Sequence, residues 1–221
     1  MRRAALLLAA LLAACAAPAP DVALDVGHNL TEPGATSASG VPEFRYNLAL
    51  AQRVRAALEG DGLRVRMIGE RGDITELRAR AKGAQGARLF VSIHHDSVKE
   101  ALLPEAGRFA GFSLFVSHAN PHPAASLACA SAIGSRLRAA GFAPSRYHAD
   151  PGVGEGRAFA DEANGVHWFD GLAVAASAAM PALLVEAGVI VNPAEERRLA
   201  DASVRERIAR AIAEGVEQCL S

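Results

Sequence analysis

Four residues of the 221-residue chain sit where metal chemistry could be built. His28, His94 and Glu186 each follow a short apolar run of strand length, and Glu43 opens a long run with helical spacing. Two imidazoles and a carboxylate converging on one rim make a catalytic zinc site with a fourth position left for water. Neutral imidazole and carboxylate suit the borderline character of zinc. A further carboxylate nearby is what water activation needs. Taken singly, each residue has a plainer reading. A lone histidine after a strand is usually a surface or hydrogen-bonded residue, and a glutamate favours any helix N-terminus. Glu186 resists such a reading. It lies in Leu183-Leu-Val-Glu186-Ala-Gly, and a carboxylate at the end of a buried strand costs several kcal/mol unless it is paired or near a metal.

The elements that would position these groups alternate along the chain. Val22–Val26 reads as a strand ending at Gly27, Leu63–Ile68 as the next, then Arg88–Ile93, Phe112–Ser117, Leu172–Ala175 and Ala182–Val185. Helical spacing covers 43–58, where Leu48, Leu50, Val54 and Leu58 recur on one side, and also 75–84, 123–140, 195–199 and 204–219. Strands separated by helices predict one α/β domain, a mostly parallel twisted sheet flanked by helices on both faces. Ligands of such sheets sit at the carboxyl ends of the strands, where His28, His94, His95 and Glu186 fall. Residues 142–171 are polar and irregular, and loops of that length are usually functional or mobile. Their Gly152-Val-Gly154-Glu-Gly156 follows no clear strand, which argues against a nucleotide loop.

The ends set the compartment. Arg2 and Arg3 precede a wholly apolar stretch, 4–14, too short to span a bilayer and suited to a secretory leader. Leu12-Ala-Ala-Cys15 has the pattern of a bacterial lipoprotein cleavage site, so residues 1–14 read as a signal peptide and Cys15 as the lipidated residue. Residues 15–20 then form a short tether, and 21–221 the catalytic domain. An acylated cysteine makes the membrane a partner through its lipid. Ala16 lacks the aspartate that signals inner-membrane retention, which favours the outer membrane. The net charge of −1 and the absence of a basic block exclude nucleic acid as an expected partner. Cys129 and Cys219 both fall on apolar helix faces; they read as buried thiols or, in an oxidising compartment, as a pair.

Four blocks in order resemble the zinc-dependent N-acetylmuramoyl-L-alanine amidases of cell separation and sporulation, over nearly all of 21–221. These are Asp25-Val-Gly-His28 with Glu32-Pro-Gly-Ala35; Glu43, fifteen residues after His28; Arg78, sixteen before His94, leading into Leu89-Phe-Val-Ser-Ile-His94; and Met180-Pro-Ala-Leu-Leu-Val-Glu186-Ala-Gly-Val-Ile-Val-Asn192. The resemblance implies a phosphorylase/hydrolase-like fold, a Zn2+ cofactor with His28, Glu43 and His94 as ligands, and Glu186 as the catalytic glutamate. It implies hydrolysis of the amide between the muramoyl lactyl group and L-alanine of peptidoglycan. It leaves an activator protein as a candidate partner. The chain departs from the pattern at Asn29, at His95-Asp96 and at Val189-Ile-Val, none of which removes a ligand. Strand alternation sends His95 away from His94, to a supporting or surface place, with a substrate contact or alternative ligand as the other reading. His118, His122, His148 and His167 lack ligand spacing. Trp168 and Phe169 read as core or as a stem-peptide contact, and an acid among Glu155, Asp161 and Glu162 could plug the zinc. The expected product is a monomer of the periplasm. The rival readings are a zinc hydrolase of another amide or acyl-amino acid, and a non-catalytic peptidoglycan-binding lipoprotein.

Overall fold

The computed structural model describes residues 18–221. The expected signal peptide and lipidated Cys15 lie outside these residues. Among the described residues, seven strands form one sheet: β1 (Val22–Val26), β2 (Val65–Ile68), β3 (Leu89–Asp96), β4 (Ser113–Val116), β5 (Phe159–Asp161), β6 (Val166–Trp168) and β7 (Ala182–Val189), in the order β2-β1-β3-β7-β4-β6-β5. β2, β1, β3 and β7 run parallel, whereas β4 is antiparallel to β7 and β5 to β6. The sheet is therefore mixed and mostly parallel, the α/β class that the strand and helix alternation predicts. All five residues of β1 are buried, because a parallel strand covered on both faces has no solvent side to alternate towards.

Six α-helices cover it: α1 (Glu43–Gly60), α2 (Leu77–Gly83), α3 (Pro123–Ala139), α4 (Ala173–Ser177), α5 (Pro193–Ala200) and α6 (Ala202–Leu220). On one face Leu24, Val91, Leu114 and Val185 of the sheet pack with Leu50 and Val54 of α1, Ile133 of α3 and Ile212 of α6. On the other, Ala23, Phe90, Phe115 and Leu184 pack with Ala81 of α2 and Val174 of α4. Cys129 of α3 and Cys219 of α6 form a disulfide with Cα atoms 4.9 Å apart, so the pairing reading of the two cysteines is the one the fold adopts.

Several boundaries differ from expectation. β3 continues through His94, His95 and Asp96, and β7 through Glu186 to Val189; the polar site residues interrupt the apolar pattern without ending the strands. Leu172–Ala175 is not a strand. Ala173–Ser177 is helical, and Leu172, Val174 and Ala175 are buried against the α2 side. That run is alanine-rich, and its buried positions fit one helix face as well as a strand. β5 and β6 arise within the segment expected to be irregular; three residues each are too few to reveal a period.

Candidate metal centre

The site grows from the end of β1. Gly27 and His28 turn the chain out of the sheet, and His28 takes the left-handed conformation, φ 67°, uncommon for a residue with a side chain. Arg80, buried on α2, holds this turn in place. Its guanidinium pairs with Asp25 at 2.8 Å and donates to the carbonyls of Val26 (2.6 Å), Ile74 (2.9 Å) and His28. Asp25 also accepts from Ser92 Oγ at 2.6 Å, so the buried charge pair has its remaining lone pairs met, as such a pair needs. The arginine of the motif that carries structure is thus Arg80; Arg78, two residues earlier, is exposed.

Glu43 begins α1 and is buried. Its Oε2 lies 3.0 Å from His28 Nε2 and its Oε1 3.1 Å from His94 Nδ1. Ala35 N–H donates to Oε2 (3.1 Å), and Asn47 Nδ2, one turn along α1, donates to Oε1 (3.0 Å). Burial disfavours charge on Glu43, but the hydrogen bonds from His28 and His94 outweigh it and hold its carboxyl well below the usual range. One nitrogen or oxygen from each of His28, Glu43 and His94 lies within 4.8 Å of the others, close enough for three donors to share one ion. Two neighbouring glycines keep that space. A Cβ on Gly27 would meet the His94 ring at 2.3 Å, and one on Gly34 would meet Glu43 Oε2 at 2.4 Å.

Glu186 pairs with His94 across the parallel β3–β7 ladder, which puts both side chains on one face. Its Oε2 is shielded from solvent and has no hydrogen-bond partner among the described residues. Burial raises its pKa well above the usual carboxylate range, and the charges of Asp96 and Glu43 push the same way. A cation between His28, Glu43 and His94 would relieve that repulsion, so the donor set and the orphaned acid both fit a bound divalent metal. A cleft of ≈ 230 Å³ opens beside these donors, lined by Gly27, His28, Glu32, Leu77, Leu172 and His94 among others.

The remaining expectations resolve around this centre. His95 is buried on the α1 side of the sheet, where its Nδ1 lies 2.8 Å from Asn47 Oδ1; burial pushes it down to about 4, and it supports the Glu43–Asn47 pair from behind. A register shift between His94 and Asp96 then turns Asp96 towards His148, at 2.7 Å. None of the three loop acids joins the His28, Glu43 and His94 cluster. Glu155 pairs with His148 and Arg157, Glu162 with Arg146, and Asp161 with Asn164. His118 stacks on Trp168 at 3.7 Å and bonds Asp170, and Phe169 lies under Arg157 at 3.4 Å. His122 Nε2 lies 3.3 Å from a backbone carbonyl, and His167 is buried against Phe159. Because β4 and β6 run against β7, Trp168 at the end of β6 falls level with the middle of β3, about three residues before His94. The supporting roles of Asn47 and Asp96 do not show in the sequence. Asn47 stands four residues after Glu43, on the same helix face, and that spacing was the available signal.

Known proteins share this arrangement's frame. The family model described as N-acetylmuramoyl-L-alanine amidase matches residues 22–218. The N-acetylmuramoyl-L-alanine amidase AmiA of Escherichia coli (strain K12) is 30% identical over 223 residues, covering 88% of this chain and 74% of that protein. The catalytic domain of CwlV, an N-acetylmuramoyl-L-alanine amidase from Bacillus (Paenibacillus) polymyxa, is 27% identical with a TM-score of 0.69, over 89% of this chain and 96% of that one. Ami1 from Mycobacterium smegmatis shares the fold, with 24% identity and a TM-score of 0.74 over 90% and 95% of the two chains. With the match running from the first strand almost to the end of α6, this chain belongs to the N-acetylmuramoyl-L-alanine amidase family.

Proposed function

We propose that this chain hydrolyses the amide between the lactyl group of N-acetylmuramic acid and L-alanine in peptidoglycan. In this reading zinc is held by His28, Glu43 and His94, and Glu186 carries the proton. The observation that carries it is the solvent-shielded, unpartnered Oε2 of Glu186 in register with His94. When bound, zinc acts as a Lewis acid that polarises a carbonyl and makes water more acidic.

The chain's own groups do the rest. Glu43 and the two imidazoles would hold the metal, and Ala35 N–H and the Asn47 amide fix the carboxylate. Glu186 takes a proton from the attacking water and returns it to the departing amine nitrogen of L-alanine. A high proton affinity suits that second step, because a general acid works best near the ambient pH. A wall-binding protein without activity would gain nothing from a buried acid with an unmet oxygen. That cost favours the enzyme over the non-catalytic lipoprotein.

The cell envelope is the compartment this reading requires. The leader pattern, Cys15 as a lipid anchor and the Cys129–Cys219 disulfide all favour export. No helix among the described residues is long and apolar enough to cross a membrane. The metal assignment is tested by elemental analysis. About one zinc per chain is expected for the purified protein, with loss in His28→Ala and His94→Ala and retention in Glu186→Gln. Full zinc in both histidine variants would overturn the ligand set.

A further inference from the structure

We infer that Ser113, on β4, is the positioning residue for Glu186, an inference that rests on the role proposed for that carboxylate. Among the described residues, four buried side-chain polar atoms lack a hydrogen-bond partner, and Ser113 Oγ and Glu186 Oε2 are two of them. They belong to directly opposed residues. In the antiparallel β4–β7 pair, Ser113 faces Glu186, Leu114 faces Val185 and Phe115 faces Leu184. Side chains of such pairs lie on one face with Cβ atoms about 4.5–5.5 Å apart. The two cores fix which face it is. Leu114 and Val185 both enter the α1 side, Phe115 and Leu184 both enter the α2 side, so Ser113 and Glu186 share the α2 side with His94.

No other ladder neighbour competes for the hydroxyl. On the β6 side the adjoining backbone is Gly165, whose carbonyl accepts from Leu114 N–H and which has no side chain to offer. Ser113 is fully buried, and a buried hydroxyl without a partner is destabilising unless a working state supplies one. A hydroxyl turns about a single bond and serves as donor wherever an acceptor stands. The two oxygens are not hydrogen-bonded to each other in this structure; a change of the Ser113 rotamer in the working state lets the hydroxyl donate to the Glu186 carboxylate and fix its orientation towards the space bounded by His28, Glu43 and His94. A freely turning carboxylate would lose rate through misalignment rather than through weaker substrate binding.

The test is steady-state kinetics on a soluble muropeptide, with bound zinc and thermal midpoint measured beside it. Ser113→Ala is expected to lower kcat about 10- to 100-fold with KM within about 2-fold and zinc unchanged. Ser113→Thr restores kcat to within about 3-fold, whereas Ser113→Val, equal in size to threonine but without a donor, does not. This pair decides the matter even where alanine disturbs folding. Equal activity of the threonine and valine variants would overturn the inference and leave only a packing role. Wild-type kcat in Ser113→Ala would overturn it as well. Glu186→Gln separates the two claims: near-wild-type activity there would sink the role of Glu186 itself, while an inactive Glu186→Gln beside a fully active Ser113→Ala would sink the role of Ser113 alone.

Discussion

His148 Nε2 lies 2.7 Å from Asp96 Oδ2, and its Nδ1 lies 2.9 Å from Glu155 Oε2, so one buried imidazole carries a carboxylate on each nitrogen. Both nitrogens then donate, which requires the charged ring. Burial opposes that charge, but the hydrogen bonds and charges of Asp96 and Glu155 outweigh it and hold the pKa of His148 above its ordinary value of 6.5. The contact pins the 147–157 segment to the end of β3, two residues past His94.

A pH dependence of stability follows. A pKa raised by folding gives stabilisation that is complete below pH 6.5 and is lost as the pH rises through the raised value. His148→Gln leaves Asp96 buried without its cation, at a cost of about 3 kcal/mol near pH 6. Urea midpoints measured at about pH 6 and about pH 9 should therefore converge between wild type and variant at the higher pH. A difference that stays constant with pH would show that the ring is held neutral.

Arg80 is the second point of leverage. One guanidinium serves Asp25 and the carbonyls of Val26, His28 and Ile74. Its loss strands a buried aspartate and releases the left-handed turn at His28. Arg80→Ala is expected to cost about 3–5 kcal/mol and to lower zinc affinity. Arg80→Lys recovers little of either, because an ammonium lacks the planar fork. Chemical denaturation and metal titration read both effects; zinc affinity unchanged in Arg80→Ala would mean that His28 is held by other contacts.

The disulfide joins α3 to the end of α6 across 90 residues of chain. Closing a loop of that length destabilises the unfolded chain by about 4.5 kcal/mol. The Cys129→Ala/Cys219→Ala variant should unfold at a lower midpoint and lose stability of that order, while its fold, read by circular dichroism, stays the same. An unchanged midpoint would show that the pair is reduced in the purified protein.

The sequence carried the central strands of the sheet and the candidate donors His28, Glu43 and His94, which the fold brings together. β1, β3 and β7 are mostly apolar because they are buried on both faces, and each runs up to or through a site residue whose polarity marks the change. The 142–171 segment was opaque for the opposite reason. β5 and β6 are three-residue strands whose place is set by pairing with β4 rather than by their own pattern. The partners of His148 lie 52 residues back and 7 ahead, a separation that no local spacing rule spans. Ser113 was equally hidden, since its significance comes from a register with Glu186, 73 positions away along the chain. Arg78 and Arg80 share one short stretch, and helix geometry, invisible at that resolution of reading, chose which is buried.

The central claim is that His28, Glu43, His94 and Glu186 together cut the muramoyl–L-alanine amide. The measurement that tests it most directly is mass spectrometry of the products of purified peptidoglycan digested by the zinc-loaded protein, beside chelator-treated protein and Glu186→Gln. Released stem peptides that begin with a free L-alanine amine are expected, absent after chelation and lowered at least about 1,000-fold in the variant. Stem peptides released at an undiminished rate by Glu186→Gln, or peptides cut only at another amide, would contradict it.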